Sequence, residues 1–524
     1  MLQAVGSAAG VTTLAGCLGG GRLGDSIPGG SGTDSLRVGQ VLPPVALDPL
    51  VITSSSSAHV ASKVFEGLYE YGDGSELRPA LAAGEPTISD DGTRYAVELS
   101  PDARFQNGER VTARDVKYSF EAPVREDAPT AWAVSMIDRV EAVDDRTARF
   151  HLAYPYQAFE RVLTRGVVPE SERKSNPKRF ARERPVGSGP FEVTLFSSGD
   201  RAVLSRWDDY WRTPKPAIER AEFVPVESNL ARAMSLRTGQ NDIAERVPAK
   251  LWDVVESMST ASVKTTRSYH SHFVGFNCNE GPTTDPLVRE AVAHSFDMDE
   301  AVRSFVGRGG RPQHSPVPDR IAKSWGLPLG RWKSVPRGKD IGKSKDLFER
   351  AEVGAWAPKI AVPKGDKLRE TIGETIAHGL GEAGFRRARV VKYDPSTFRS
   401  KTVSGVPGEY HLFVGSWTGT PDPDSFLYPL FHENEEGATN GTFYSNESVM
   451  NDILAARRSA DRAERRRRYA SAIDGLLDDW VCLPAYSLDN SYGVADRVRG
   501  FRPSQFAEVN PRFVYESAVV TLEG

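Results

Sequence analysis

Apolar and polar positions alternate with period two in Arg94-Tyr95-Ala96-Val97-Glu98-Leu99 and again in Thr147-Ala148-Arg149-Phe150-His151-Leu152. That period places one face of each segment in a core and predicts half-buried strands. Leu36-Arg37-Val38-Gly39 is a shorter strand pattern. It is followed by the hydroxyl-rich loop Thr53-Ser54-Ser55-Ser56-Ser57 and a predicted helix carrying Val60, Val64, Phe65 and Leu68 on one face. Thr112-Ala113-Arg114-Asp115 reads as a capping-box helix start with Val116 and Phe120 behind it. Asp285-Pro286 opens another helix, whose Leu287, Val288, Ala291, Val292 and Ser295 form the buried stripe. Two amphipathic helices are expected between Ser448 and Trp480. The arginine run Arg465 to Arg468, flanked by Asp461, Glu464 and Asp474, is expected on a solvated helix face. Strands and helices mix without a repeating βαβ period, so the class is α/β with more than one sheet.

A chain of 524 residues is too long for one small core, and two or three lobes are expected. A hydrophobic content of 39% with a mean hydropathy of −0.41 describes an ordinary water-facing protein. The net charge of −4 carries no nucleic-acid footprint. The N-terminus changes this picture. Leu14-Ala15-Gly16-Cys17 followed by Leu18-Gly19-Gly20-Gly21 resembles a lipobox, in which the cysteine thiol is lipidated and the preceding segment removed. Val5 to Leu18 falls well short of the roughly 20 apolar residues of a spanning helix, so a processed signal is expected. No basic residue precedes Arg22, and Met1 to Gly6 looks like the interior of a twin-arginine signal, a combination common on archaeal lipoproteins. Residues 1–17 are therefore read as the signal segment, with Cys17 as lipid anchor, and residues 18–35 as a Gly/Ser-rich flexible tether. Of the remaining cysteines, Cys278 and Cys482 sit in apolar contexts and read as small buried hydrophobes. A disulfide between them stays open.

Catalytic signatures are missing where an enzyme of this size would show them. Gly338-Lys339-Asp340-Ile341-Gly342-Lys343-Ser344 has three residues between its glycines where a P-loop needs four, and reads as a basic loop. Gly187-Ser188-Gly189 lacks the spacing of a nucleophile elbow. No Cys/His pair has zinc spacing. His270 and His272 would share one side of an extended run, packed or solvent-facing rather than ligating. No metal, cofactor or catalytic residue is expected.

Several stretches, in order, resemble the family 5 solute-binding proteins of ABC importers, of the oligopeptide- and dipeptide-binding type. These are Phe65-Glu66-Gly67-Leu68, Leu77-Arg78-Pro79-Ala80-Leu81-Ala82, Ser89-Asp90-Asp91-Gly92-Thr93, Phe105-Gln106-Asn107-Gly108 and Val111 to Val116. Pro185-Val186-Gly187-Ser188-Gly189-Pro190-Phe191, Asp209-Tyr210-Trp211, Phe276-Asn277, Pro286 to Asp297 and Ser416-Trp417 through Asp422-Pro423-Asp424 continue the series. Each is unspecific alone. Together, from about Leu36 to the C-terminus, they are specific.

The resemblance implies a periplasmic-binding-protein-like (type II) two-lobed clamp with an extra inserted subdomain. It assigns residues 36–62, 185–268 and 492–524 to lobe I, 63–184 to the inserted subdomain and 269–491 to lobe II, with crossovers near Tyr269 and Tyr492. Pro185 to Pro190 would be a tight turn, placed either beside the ligand or as a lobe organiser. Trp417 would form a wall of the site, or else plug the core under its loop. Thr418, Gly419 and Thr420 would line the site with it, and Asp422 or Asp424 would lie beside it. Ser54, Ser55 and Ser56 would offer hydroxyls from the opposite lobe, with Tyr269 and Tyr486 near the crossovers. Peptide binders of the family hold the ligand's ammonium with an Asp three residues after the Trp. Here that position is Thr420, which cannot supply the charge. The implied function is a lipid-anchored monomer at the outer face of the cytoplasmic membrane. It would capture a peptide or related small solute by closing around it, and deliver it to permease subunits. A secreted hydrolase with unrecognised carboxylates is the alternative, and a structural surface protein a third reading.

Overall fold

The computed structural model describes residues 35–335 and 337–523. Cys17, the signal segment and nearly all of the tether lie outside the described residues.

One long strand, Cys482–Ala495, joins the two halves of the clamp. Its first part pairs antiparallel with His270–Phe276, and its later part with Ile243–Glu245 and Ala261–Arg267. At about 3.3 Å per residue its 14 residues run roughly 46 Å, enough to serve both lobes. On the lobe I side, Ser35–Gln40 lies parallel between Arg220–Pro225 and Ile243–Glu245. On the lobe II side, Leu412–Thr418 sits between His270–Phe276 and Lys359–Pro363. The crossovers thus fall at Arg267 to His270 and within Cys482–Ala495.

Strand alternation decides which core each residue enters. In lobe II, Phe273 and Phe413 pack on one face with Phe426, Tyr469 and Ile473. Val274 and Val414 pack on the other with Val292, Ile360 and Ile376. Lobe I has its own core around Val38, Val60, Phe191, Phe223 and Tyr492. Between Leu68 and Val167 a separate core of Leu81, Val97, Phe105, Phe120 and Phe150 lies under a four-stranded sheet. The period-two segments form its strands, Arg94–Glu98 and Thr147–Leu152. The expected capping box is present, with the Asp115 carboxylate accepting from the Thr112 N–H at 2.9 Å. Asp285 caps Pro286–Ala293, which ends before Ser295.

Three expectations change. The helix after the hydroxyl-rich loop is Ser55–Val64, so Phe65 and Leu68 lie beyond it. The Gly189 N–H donates to the Val64 carbonyl at 2.8 Å, taking an acceptor that a longer helix would use. A Cβ on Gly187 would collide with that same carbonyl, so the Pro185 to Pro190 turn needs glycine to pack backbone on backbone. Gly338 to Ser344 is only partly a loop, because Asp340 caps the helix Ile341–Arg350. The helices Glu447–Arg458 and Arg462–Asp478 form as expected, but Arg465 is buried, 3% exposed. It shares the inner stripe with Tyr469, Ala472 and Ile473, where a carboxylate awaits it. Cys278 and Cys482 are both free thiols. Among the described residues, no helix is long and apolar enough to cross a membrane, and no His/Cys/Asp/Glu group could hold a metal ion.

Candidate functional site

A cavity of about 1040 Å³ lies where lobe I, the inserted subdomain and lobe II meet. This is at the upper end of small-molecule sites. Strand Leu412–Thr418 delivers Trp417, Thr418, Gly419 and Thr420 into its wall. The Trp417 indole N–H donates to the Ser425 carbonyl at 2.7 Å, which fixes the ring. Across the cleft Trp132 approaches it with ring centroids 5.5 Å apart.

From lobe I come Ser54 and Ser55. Ser54 caps the helix Ser55–Val64 by accepting from the Ser57 N–H. The Ser55 hydroxyl accepts from Arg246 Nη2 at 3.1 Å. Arg246 directly follows strand Ile243–Glu245 and holds a left-handed φ of 47°, which turns the chain at the cleft edge. Ser56 is buried and does not reach the cavity.

Four further expected site residues stand elsewhere than the cavity surface or are already engaged. Tyr269 is buried behind Phe506, under the Arg320 guanidinium. Tyr486 is fully buried and stacks on His272 with centroids 4.2 Å apart, forming a layer behind the wall. Asp422 does not face the cavity and accepts from Arg465 Nη2 at 2.8 and 2.9 Å. Asp424 touches the cavity, yet its carboxylate is filled by Arg457, by the Tyr156 hydroxyl at 2.8 Å and by the Tyr469 hydroxyl at 3.2 Å. Burial opposes the Arg457 charge, but Asp424 and Tyr156 outweigh it and hold the guanidinium well above its usual range. Neither acid is free for a ligand ammonium, because each neutralises an arginine that has been taken out of water. These pairs clamp the loop after Trp417 onto the two C-terminal helices.

At the lobe boundary His270 and His272 do share one side of their strand, with rings 4.5 Å apart. Burial drives both far below the usual histidine range; beside it, His272, Arg246 and Arg369 act on His270, and Arg369 and Arg246 on His272. Asp366, the countercharge that faces His270, is paired with Arg369 at 2.8 Å. The folded state therefore refuses protons that the unfolded chain accepts. This contribution to stability is fully present above pH about 6.5 and is lost as pH falls toward the depressed values. Urea midpoints measured from pH 7 to pH 5 should fall, and a His270→Gln/His272→Gln variant should show a shallower fall. An unchanged slope in that variant would place the acid sensitivity elsewhere.

Residues that sequence reasoning missed supply most of the cavity's charge. Arg161, Arg165, Arg246 and Arg369 line it, as do Glu508 and Arg512. Glu508 is exposed where it lines the cavity, and desolvation by the surrounding cleft raises its carboxyl. No local pattern marks these residues among the chain's 66 lysines and arginines. Only the fold gathers them.

Residues 76–438 match the family model described as bacterial extracellular solute-binding proteins, family 5. With the two-lobed clamp and its cleft, that match makes the chain a member of this family, a solute-binding protein of the ABC-importer type and not an enzyme. The glutathione-binding protein GsiB of Pectobacterium atrosepticum is 26% identical over 451 residues, covering 84% of this chain and 86% of that protein. The fold is that of DppA from Helicobacter pylori, solved with the peptide STSA, at a TM-score of 0.82, 22% identity and coverage of 94% and 98%. It is equally that of NikZ from Campylobacter jejuni, solved with Ni(L-His), at a TM-score of 0.81, 19% identity and coverage of 94% and 100%.

Proposed function

We propose that this protein captures a small peptide or a peptide-like solute outside the cytoplasmic membrane, closes its lobes around it and delivers it to an ABC permease as a monomer. The observation that carries this reading is the cavity itself. It is walled by both lobes and by the inserted subdomain, so a solute bound to one wall gains the others only on closure. Relatives named for glutathione and solved with a tetrapeptide support a ligand of this size. Micromolar capture needs about −8 kcal/mol net, after the cost of ordering ligand and lobes.

Mass spectrometry of the solute that co-purifies should identify the ligand unaltered. Small-angle scattering should then show a smaller radius of gyration when that solute is added back. Binding without compaction would overturn closure, and turnover of the solute would overturn the receptor reading.

Attachment at the membrane is assigned to a lipid on Cys17. Cys17→Ser, expressed with its full export signal, should move the protein from membranes into the medium. Undiminished membrane association would exclude that anchor.

A further inference from the structure

The wall contributed by the inserted subdomain carries a set of polar atoms with no partner. Tyr71 ends the short strand Tyr69–Tyr71, and Arg161 and Arg165 lie one turn apart on and just after the helix Phe159–Val162. All three residues line the cavity. The Tyr71 hydroxyl, Arg161 Nη1 and Arg165 Nη2 are each buried without a hydrogen-bond partner. Buried unpartnered groups of this kind are costly, and three on residues that line one cavity point to a partner supplied by the bound solute. Every one of these atoms can donate, and the two guanidinium nitrogens can only donate. The group that satisfies them together is an acceptor bearing negative charge. Burial lifts the Tyr71 hydroxyl to about 12, so it remains an O–H donor; the Arg161 charge and its loose hydrogen-bonding approach to the hydroxyl oppose that rise, which places the two groups side by side although neither fully satisfies the other.

The surrounding acids do not fill this role. Glu66 and Glu70 are taken by Arg212 at 2.9 and 2.7 Å. Glu516 pairs with Arg78. Glu508 acts on Tyr71, and Glu160 on Arg161, through charge without filling the unpartnered atoms. On the opposite wall the acids that would receive an ammonium are filled by Arg457 and Arg465. The two walls therefore agree on the sign of the ligand's held charge.

We propose that Tyr71, Arg161 and Arg165 form an anion subsite that holds a carboxylate of the bound solute, so that the protein selects acidic peptides or peptide-like acids. This rests on the solute-binding reading above. Two flat guanidinium edges and a hydroxyl match a carboxylate's two oxygens, and charge-assisted bonds of this kind are the stronger ones.

The test uses two pools of C-terminally amidated tripeptides, alanine peptides with one Asp at each position and the matched pool with Asn, so that only the Asp pool carries a carboxylate. Retention after equilibrium dialysis is read by mass spectrometry. The wild type should retain the Asp pool at least tenfold over the Asn pool. Arg161→Met/Arg165→Met should reduce that preference to within twofold. Tyr71→Phe, which removes only a hydroxyl and is expected to fold, should reduce it severalfold. Equal retention by the wild type, or a preference that survives both variants, would overturn the subsite. If the wild type retains neither pool, the peptide reading fails on its own. The subsite is then decided by citrate, against sodium chloride at equal ionic strength. A rise in unfolding midpoint in the wild type that is absent from Tyr71→Phe supports it, and no rise, or an equal rise in both, overturns it.

Discussion

Arg457→Met should lower unfolding stability by about 3–5 kcal/mol, the cost of leaving one member of a buried ion pair without the other. Arg457 and Asp424 have side chains only 4% and 1% exposed. The guanidinium lies 4.0 Å from the Tyr428 ring centroid and 4.6 Å from that of Tyr156, and its Nε donates to the Tyr154 hydroxyl at 2.9 Å. Tyr154 and Tyr156 belong to the inserted subdomain, whereas Asp424 and Tyr428 belong to lobe II. The substitution therefore strands a buried carboxylate and also cuts a tie across the cleft. Arg457→Met/Asp424→Asn should recover part of the loss, because the uncompensated charge is gone. Arg499→Met provides the control. Its pair with Glu523 is 57% and 59% exposed, and solvent-screened pairs of this kind contribute little to stability. Denaturant melts of the four proteins decide the matter. If Arg457→Met costs no more than Arg499→Met, the pair does not hold the loop.

Much of the architecture was legible because its signals are local. Asp285-Pro286 and the Thr112/Asp115 pair announce helices within four residues. The period-two runs announce strands, and the ordered motifs announce the clamp. Trp417 to Thr420 lie in the cavity wall. The Asp422 and Asp424 positions were legible, but not what they do, because their partners Arg465 and Arg457 lie 43 and 33 residues away. The same distance hid the arginine run's true setting: Arg465 reads as one of four solvated arginines until the loop from Trp417 folds over it. Arg161, Arg165 and Arg246 carry no local signal at all. Each is an ordinary surface residue in sequence and becomes a site residue only when three separate elements converge.

Trp417→Ala should weaken ligand binding by tenfold to a hundredfold, while costing less in folding stability than in binding. The ring is partly buried against the lobe II core and partly open to the cavity beside Trp132. Removing it takes a large apolar wall from the ligand, worth about 1.5–3 kcal/mol when desolvated, which is that range of affinity. Trp417→Phe should keep most of the wall and lose only the bond to the Ser425 carbonyl. A melting-point loss that exceeds the binding loss would make Trp417 a core plug instead. Thr420→Asp tests the ammonium question from the same loop. The Thr420 N–H and carbonyl are both held by the Ser425 hydroxyl, at 2.9 and 3.2 Å, so the backbone is fixed and only the side chain changes. A carboxylate there is not neutralised in advance, unlike Asp422 and Asp424, whose arginines are already committed. The variant should therefore prefer trialanine over N-acetyl-trialanine by about tenfold, the strength of one charge-assisted contact in a partly wet cleft. A folded variant with no such preference would show that a ligand's terminal amine does not come to this wall, leaving the arginine-bearing wall opposite to set the ligand's orientation.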